Sequence, residues 1–322
     1  TYSDWIMKRL PEKSGYKNGN AGFYDLGATW SYTIDHLNKV NVYGYYSHDR
    51  FEFNENEKYA YSNLNASVNW RTILNEKVTA NLAAGYDHYD YMNDESTDAV
   101  AAARLKFAIN QVYAKVGFNH DLGNGHKLNY GLSTMLYDLQ PGIYEPLNDS
   151  STVVRKELQT EKALESALYI GDQWEINSKL SIDAGIRLSM FNALGKRTYY
   201  DYATGELPSL NAITDTITTG GGAFKTYFAP EFRLSARYAF SDDLSVKAGF
   251  NTMRQYIHKV SNTLVMSPTD TWKLSDMFIE PQTGMQYSLG FYKNLMGGNI
   301  EASVEGYYKT MDNYLDYRSG AQ

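Results

Sequence analysis

The chain has 322 residues, 43% of them hydrophobic and 21% charged, with a formal net charge of -7. The absence of cysteine excludes disulfide frameworks, structural zinc fingers and thiol nucleophiles. An acidic chain also lacks the basic stripe of a nucleic-acid-binding protein, so we expect no nucleic-acid partner. No run of residues approaches the roughly 18 apolar positions that a membrane-spanning helix needs.

Alternating apolar and polar residues dominate the N-terminal third of the chain. The stretches 23–34, 40–53 and 59–73 change between apolar and polar at every second residue. A period of two indicates β-strands, because successive side chains on a strand point to opposite faces. Short polar turns at 35–39 and 74–77 favour joining these strands into hairpins.

The segment 99–122 is ambiguous in the sequence. Its apolar residues lie at odd positions up to Ile109 and at even positions from Val112 onward. A strand that changes parity needs a bulge, which we expect near Asn110-Gln111. The alternative is a helix over 97–109, because the alanine-rich run there has high helix propensity.

The longest two-faced hairpin covers residues 226–254. Its even positions are largely apolar and include Phe228 and Phe232, whereas its odd positions include Glu231 and Arg233. Ser241-Asp242-Asp243 supplies the polar turn. Strands of this length exceed the about 5–6 residues that are usual in globular proteins and suit a wall between lipid and water.

Connections between the predicted strands alternate between short and long. Short turns lie near 35–38, 74–77, 123–125, 177–179, 241–243 and 297–298. Longer loops lie near 141–160, 196–225 and 259–282, and moderate ones near 54–58 and 92–98. Outer-membrane barrels have short turns at one end and long loops at the other. The sequence therefore predicts an all-β fold, an antiparallel up-and-down transmembrane β-barrel with about 12 strands in this chain.

Several motifs lie in the C-terminal part of the chain. They are Arg254-Gln255-Tyr256-Ile257-His258, Ser261-Asn262-Thr263, Ser267-Pro268-Thr269-Asp270-Thr271-Trp272-Lys273-Leu274-Ser275-Asp276, Ile279-Glu280-Pro281-Gln282, Gln286-Tyr287-Ser288-Leu289-Gly290-Phe291 and Glu305-Gly306-Tyr307-Tyr308-Lys309-Thr310-Met311-Asp312-Asn313-Tyr314-Leu315-Asp316. In these motifs the chain resembles the barrel domain of TonB-dependent outer-membrane receptors, in the form common in Bacteroidetes.

The resemblance implies a barrel of about 22 strands with a plug folded inside it. We expect residues 1–322 to be part of one barrel domain, with the plug and the remaining strands outside this chain. The implied protein is a multi-pass receptor of the bacterial outer membrane that is not an enzyme. It would take up a scarce ligand, such as an iron chelate, a cobalamin, a glycan or a peptide. Its implied partners are outer-membrane lipid, the TonB complex through the plug, and a surface lipoprotein.

Charged residues on the hydrophilic faces of neighbouring predicted strands form one candidate site. The set comprises Asp183, Arg187, Glu231, Arg233, Arg237 and Lys247. Cross-strand pairing would make them a structural ladder. The functional interpretation is that they face the lumen and contact a plug or a passing ligand.

Tyrosines in the predicted loops form a second candidate site for ligand binding. The set comprises Tyr144, Tyr199, Tyr200 and Tyr202. Their rings could stack on a ligand, whereas loop packing or a membrane-interface girdle is the alternative role. Trp272 lies within the family-like motifs, and we expect a structural role for it.

No pattern in the sequence predicts a catalytic site, a metal site or a bound cofactor. Asp87-His88-Tyr89-Asp90 resembles a set of metal ligands, but neighbours on a strand point to opposite faces. Two other functions stay open. One is a passive, porin-like outer-membrane barrel, and the other is a soluble aromatic-rich β-protein that binds glycans.

Overall fold

The computed structural model describes residues 9, 11, 19–54, 56–204, 210–260 and 271–315. The motif residues 261–270 and Asp316 lie outside the described residues. The strands are β1 (Asn20–Thr33), β2 (Asn38–Asn54), β3 (Glu57–Asn75), β4 (Val78–Glu95), β5 (Ala103–Gly123), β6 (His126–Pro146), β7 (Lys156–Glu157), β8 (Glu161–Glu175), β9 (Leu180–Leu194), β10 (Thr198–Tyr202), β11 (Ile213–Thr218), β12 (Ala223–Ser241), β13 (Leu244–Gln255), β14 (Ile257–Val260), β15 (Thr271–Leu274), β16 (Gln282–Leu295) and β17 (Ile300–Asp312). Within the described residues, no helix is long and apolar enough to cross a membrane.

The main sheet follows the chain as a series of hairpins. Its order is β1-β2-β3-β4-β5-β6-β8-β9-β12-β13-β16-β17, and the short strand β7 pairs with β6. Neighbouring strands are antiparallel throughout, as between β3 and β4 or between β12 and β13. The predicted all-β, up-and-down arrangement is therefore confirmed. Over the described residues the sheet stays open, with β1 and β17 at its edges.

The two faces of the sheet differ in chemistry. Cross-strand register keeps residues of one parity together, so that Arg187 lies opposite Glu231 and Arg237 opposite Lys247. The other face is apolar and exposed, with Leu26 71% exposed and Phe228 65% exposed. The charged face is concave, because a single cavity on it touches strands from β4 to β13. A large exposed apolar face is what a sheet that meets lipid requires.

Asparagine and aspartate side chains shape several of the short turns. Asp35 Oδ1 accepts hydrogen bonds from the backbone N–H groups of Leu37 at 2.7 Å and Asn38 at 2.8 Å. Asn75 and Asn177 make the same pair of bonds in their own turns. This local hydrogen bonding mimics a backbone turn and explains why the chain reverses direction there. The short–long alternation fails once, because residue 54 pairs with residue 57 and leaves only a two-residue turn between β2 and β3.

Strand β5 corrects the expectation of a bulge near Asn110-Gln111. Its register against β4 is continuous from Ala103 to His120, and the shift against β6 lies between Lys106 and Ala108. The expected position is therefore wrong. Phe107 is 4% exposed on the concave face, whereas Val112 is 53% exposed on the outer face. The apolar positions change parity because the loops cover the concave face beside Phe107, so apolar residues point inward there. Further along the strand the apolar residues point outward, as Val112 does.

The two longest loops contain small sheets of their own. β10 pairs with β11, and β14 pairs with β15. The sequence pattern predicts loops in both regions, because strands this short have too few residues to show a period of two.

Candidate functional site

An inner hairpin packs on the concave face at its loop end. We use this name for β14 and β15 together with Ser275 and Asp276, which follow them. Leu274 of the hairpin is 2% exposed and belongs to one apolar cluster with Leu139 and Phe191, both fully buried. Trp272 packs against this cluster and against a second one, formed by Tyr59, Tyr91 and Phe107. The hairpin therefore spans the concave face from β3 to β9, and Trp272 has the structural contacts expected of it.

A buried carboxylate ties the inner hairpin to the sheet. Glu161, at the start of β8, is 0% exposed. It accepts a hydrogen bond from Arg197 Nη2 at 3.1 Å, one from the backbone N–H of Leu274 at 2.7 Å, and one from Lys273 Nζ. Three donors, two of them cationic, offset the desolvation of this carboxylate.

Asp276 forms the second anchor of the inner hairpin. Its Oδ2 accepts from Tyr199 Oη at 3.3 Å and lies 3.5 Å from Arg197 Nη1. Its Oδ1 accepts from the backbone N–H of Phe278 at 2.9 Å, and its carbonyl oxygen accepts from Tyr227 Oη at 2.6 Å. Arg197 thus bridges Glu161 and Asp276, which joins the start of β8 to the end of the hairpin.

His258 lies inside the inner hairpin and is 2% exposed. Its Nε2 lies 2.8 Å from Ser275 Oγ, in a hydrogen bond whose direction depends on the tautomer. Burial lowers the pKa of His258, and the nearby Asp276 carboxylate opposes this only in part. The neutral imidazole is therefore the favoured form at neutral pH.

The predicted lumen residues all lie on the concave face, and two of them, Arg187 and Glu231, meet. Arg187 lies 3.6 Å from Glu231 and 3.2 Å from Glu165, and also donates to Ser133 Oγ at 3.2 Å. This is the cross-strand ladder that was the structural alternative. Arg237 and Lys247 instead face each other as like charges. In the part of the chain that the structure describes, neither is in an ion pair.

A cavity of about 790 Å³ occupies the turn side of the concave face. Asp183, Arg187, Glu231 and Arg233 line it, together with Lys115 and Lys127. Tyr169 also lines it and lies across Gly117 and Gly131, where its hydroxyl would be 2.7 Å from an added Cβ. This half of the concave face is open and charged, unlike the half beneath the inner hairpin.

The predicted ligand-binding tyrosines separate into different environments. Tyr199 is 8% exposed, and Arg197 lies over its ring at 5.0 Å. Burial and the Asp276 carboxylate raise its pKa. Tyr200 and Tyr202 lie two residues apart on β10 and are 43% and 39% exposed, so they share an open face. Tyr144 is 41% exposed and pairs with Leu105 at the loop end of β5 and β6.

The suspected metal motif around His88 takes part in hydrogen bonds within the sheet. The described residues contain no group of three or more His, Asp or Glu side chains that could hold a metal ion. His88 of the suspected metal motif lies 2.7 Å from Asn110 Oδ1 and 3.3 Å from Asp90 Oδ1. These contacts occupy the ring nitrogens within the sheet.

Sequence reasoning missed the network around Glu161 and Arg197. Glu161 meets Arg197 across 36 residues and Lys273 across 112 residues. No local period or motif marks partners so far apart. The one available signal was the run Lys273-Leu274-Ser275-Asp276 within the family-like stretch, whose polar residues the network uses.

Long antiparallel strands with an exposed apolar face and a polar concave face define the class of transmembrane β-barrels. Residues 5–322 match the family model described as TonB dependent receptor-like, beta-barrel. The chain belongs to this family. The Bacteroidetes form of the family stays a prediction.

Solved structures of similar fold include receptors and a transporter. The ferric-catecholate import receptor Fiu of E. coli K12, in its open form, has a TM-score of 0.65 at 10% identity, over 93% of this chain and 54% of its own. The copper transporter OprC has a TM-score of 0.65 at 10% identity, over 90% of this chain and 45% of its own. The hemophore receptor HasR of Serratia marcescens has a TM-score of 0.62 at 12% identity, over 92% and 46%.

These identities support a shared fold only. The chain spans about half the length of the solved structures that it matches, from 45% to 54% in the three cases above. No curated protein matches the chain.

Proposed function

We propose that this chain forms part of the barrel of an outer-membrane receptor that imports a scarce ligand with energy delivered through TonB. Family membership over residues 5–322 carries this proposal. The outward apolar face, with Phe228 65% and Phe232 46% exposed, suits contact with outer-membrane lipid. Residues 1–322 then belong to one barrel domain, and the receptor crosses the membrane many times.

The inner hairpin favours gated import over a passive pore. A porin keeps a water-filled lumen, whereas here Leu139, Phe191 and Leu274 pack together on the concave face. In the proposed receptor the short turns face the periplasm and the long loops face outward. The exposed rings of Tyr200 and Tyr202 make the first ligand contacts, and Tyr144, also exposed on the loop side, is a further contact. No bond of the ligand is made or broken.

The remaining partners follow from this proposal. A plug would contact the concave face at Asp183, Arg187, Glu231, Arg233, Arg237 and Lys247. TonB would act on the plug, and a surface lipoprotein would cooperate with the loops. The ligand is an iron chelate, a cobalamin, a glycan or a peptide.

Deletion of the gene in its own host tests this function. Uptake of labelled ferric catecholate, cobalamin, neutral oligosaccharides and peptides would be compared in the wild type, the deletion strain and a strain without TonB. We expect uptake of one ligand class to fall in both mutants and to return when the complete gene is restored. Uptake that needs the gene but not TonB would instead identify a passive barrel. Recovery of the complete protein in the aqueous phase after detergent partitioning would overturn the membrane assignment.

A further inference from the structure

A cavity of about 360 Å³ lies on the concave face of β2 to β5. Its volume falls at the small end of the range for ligand pockets and suits a single ring-sized group. Tyr89 and Ile109 line this cavity. Ile109 also belongs to the apolar cluster that Trp272 contacts, and Tyr89 packs against that cluster. The cavity therefore lies beside the inner hairpin, on the path between the loops and the open turn side.

A row of polar residues crosses this cavity from strand to strand. Tyr45 lies opposite Asn65, Asn65 opposite Asp87, and Asp87 opposite Gln111. Asn63 lines the same cavity from the neighbouring row, opposite Tyr89. Opposite residues on adjacent strands have Cβ atoms only about 5 Å apart, so these groups converge on one patch.

Hydrogen bonds orient part of the row and leave the rest available. The Asn65 amide donates to Asp87 Oδ1, and the Asn63 amide donates to Ser47 Oγ at 3.2 Å. Asp87 keeps its second carboxylate oxygen, and each of the two asparagines keeps its amide oxygen, as further acceptors. Within the described residues, the Gln111 amide and the Tyr45 hydroxyl have no protein partner, so they offer both donors and acceptors to a ligand.

The charge of the cavity restricts the class of ligand. Among the described residues, no lysine or arginine lines it, and Asp87 is the one carboxylate there. The cavity on the turn side is different, because Lys115, Arg187 and Arg233 line it. An anionic chelate would meet a like charge with no cation here. The hydroxyl groups of a neutral ligand both donate and accept hydrogen bonds, and the side-chain amides of the row can pair with them in both ways. The tyrosine rings offer apolar faces with a polar edge.

We propose that this cavity binds one residue of a neutral oligosaccharide. Asp87 and Asn65 accept hydrogen bonds from ring hydroxyls, Gln111 both donates and accepts, and Tyr45 and Tyr89 border the sugar face. This inference rests on the proposed import function, because it names the substrate class that would pass the inner hairpin.

Calorimetry on the complete receptor, purified in detergent, tests the assignment. The probes are gluco-, manno-, xylo- and galacto-oligosaccharides of six residues. The variants are Asn65→Leu and Gln111→Leu, with Asn69→Leu as the matched control. Asn69 lies on the same strand and face as Asn65 but does not line the cavity. We expect one sugar to bind, the two site variants to raise its Kd by about tenfold each, and the control to change it by less than about twofold.

Two results would overturn the inference. One is that none of the four sugars binds, and the other is that the site variants bind as well as the control does. The uptake experiment separates this inference from the proposed function. TonB-dependent uptake of a ferric chelate without sugar binding would leave the function standing and remove the sugar assignment. If the site variants weaken sugar binding but no ligand shows TonB-dependent uptake, the sugar site would stand and the proposed import function would fall.

Discussion

The loop-side and turn-side halves of the concave face use the same residue types in opposite ways. Beneath the inner hairpin, the side chains of the Arg197–Glu161 pair are 9% and 1% exposed. Near the turns, the Lys127–Glu175 pair is 54% and 53% exposed. Removing one member of a buried pair leaves a charge without water or a partner, whereas an exposed pair is screened. The difference implies that the hairpin side is a fixed structural element and that the turn side is a wet, adaptable surface.

Removing the Glu161 carboxylate is the strongest test of this difference. Glu161→Ala removes the buried acceptor of Lys273 and leaves Arg197 with Asp276 alone. We expect a loss of about 3–5 kcal/mol in the free energy of unfolding. Hydrogen exchange of the complete receptor should become faster in β14 and β15. The control Glu175→Ala should cost less than about 1 kcal/mol, and equal losses in the two variants would refute the distinction.

Gly131 is a tightly packed position on the turn side. A Cβ at Gly131 would lie 2.2 Å from the Val116 carbonyl oxygen and 2.7 Å from the Tyr169 hydroxyl. Backbone cannot move aside as a side chain can, so Gly131→Ala should destabilise the sheet by about 1–3 kcal/mol. The matched control is Gly44→Ala, because a Cβ there would meet nothing within 4 Å. Urea unfolding in lipid vesicles measures both, and similar effects at the two glycines would contradict this packing.

The inner hairpin should also respond to pH through His258. Burial lowers the pKa of His258 below its ordinary value of 6.5, so the unfolded hairpin binds a proton more readily than the folded one. The stability that this group contributes is complete above pH 6.5 and is lost as the pH falls below it. Hydrogen exchange in β14, corrected for the intrinsic rate, should therefore be faster below pH 6.5 than at pH 7.5. A His258→Gln variant that kept the full pH dependence would show that another group is responsible.

The sequence predicts the sheet well because the sheet is a local pattern repeated many times. Alternation places Phe228 and Glu231 on opposite faces, and the turn residues near Asp35 and Asn75 fix where the hairpins reverse. The inner hairpin is different. Its four-residue strands are too short to show a period, and its anchor at Glu161 depends on partners 36 and 112 residues away.

The same reasoning explains the mixed outcome for the site residues. Parity was sufficient to place Arg187 and Glu231 on one face, whereas their pairing follows from the register of the strands. Parity could not distinguish Tyr199, which the hairpin buries, from Tyr200, which stays 43% exposed. It also could not show the row from Tyr45 to Gln111, since each strand contributes a single residue to it.

The smallest expected effect concerns Arg237 and Lys247 at the turn end of the open half. They lie directly opposite each other as like charges, an arrangement that costs roughly 0.2–1 kcal/mol unless a carboxylate lies close by. If a plug covers this end, as proposed, its acidic groups offset the repulsion, and Lys247→Glu should weaken the complete receptor by a similar amount. Raising the salt concentration should shrink the effect, because these charges are accessible to ions. A gain in stability on the same substitution would mean that water alone covers the pair. Lys247→Gln, which removes the charge without reversing it, should give an effect about half as large.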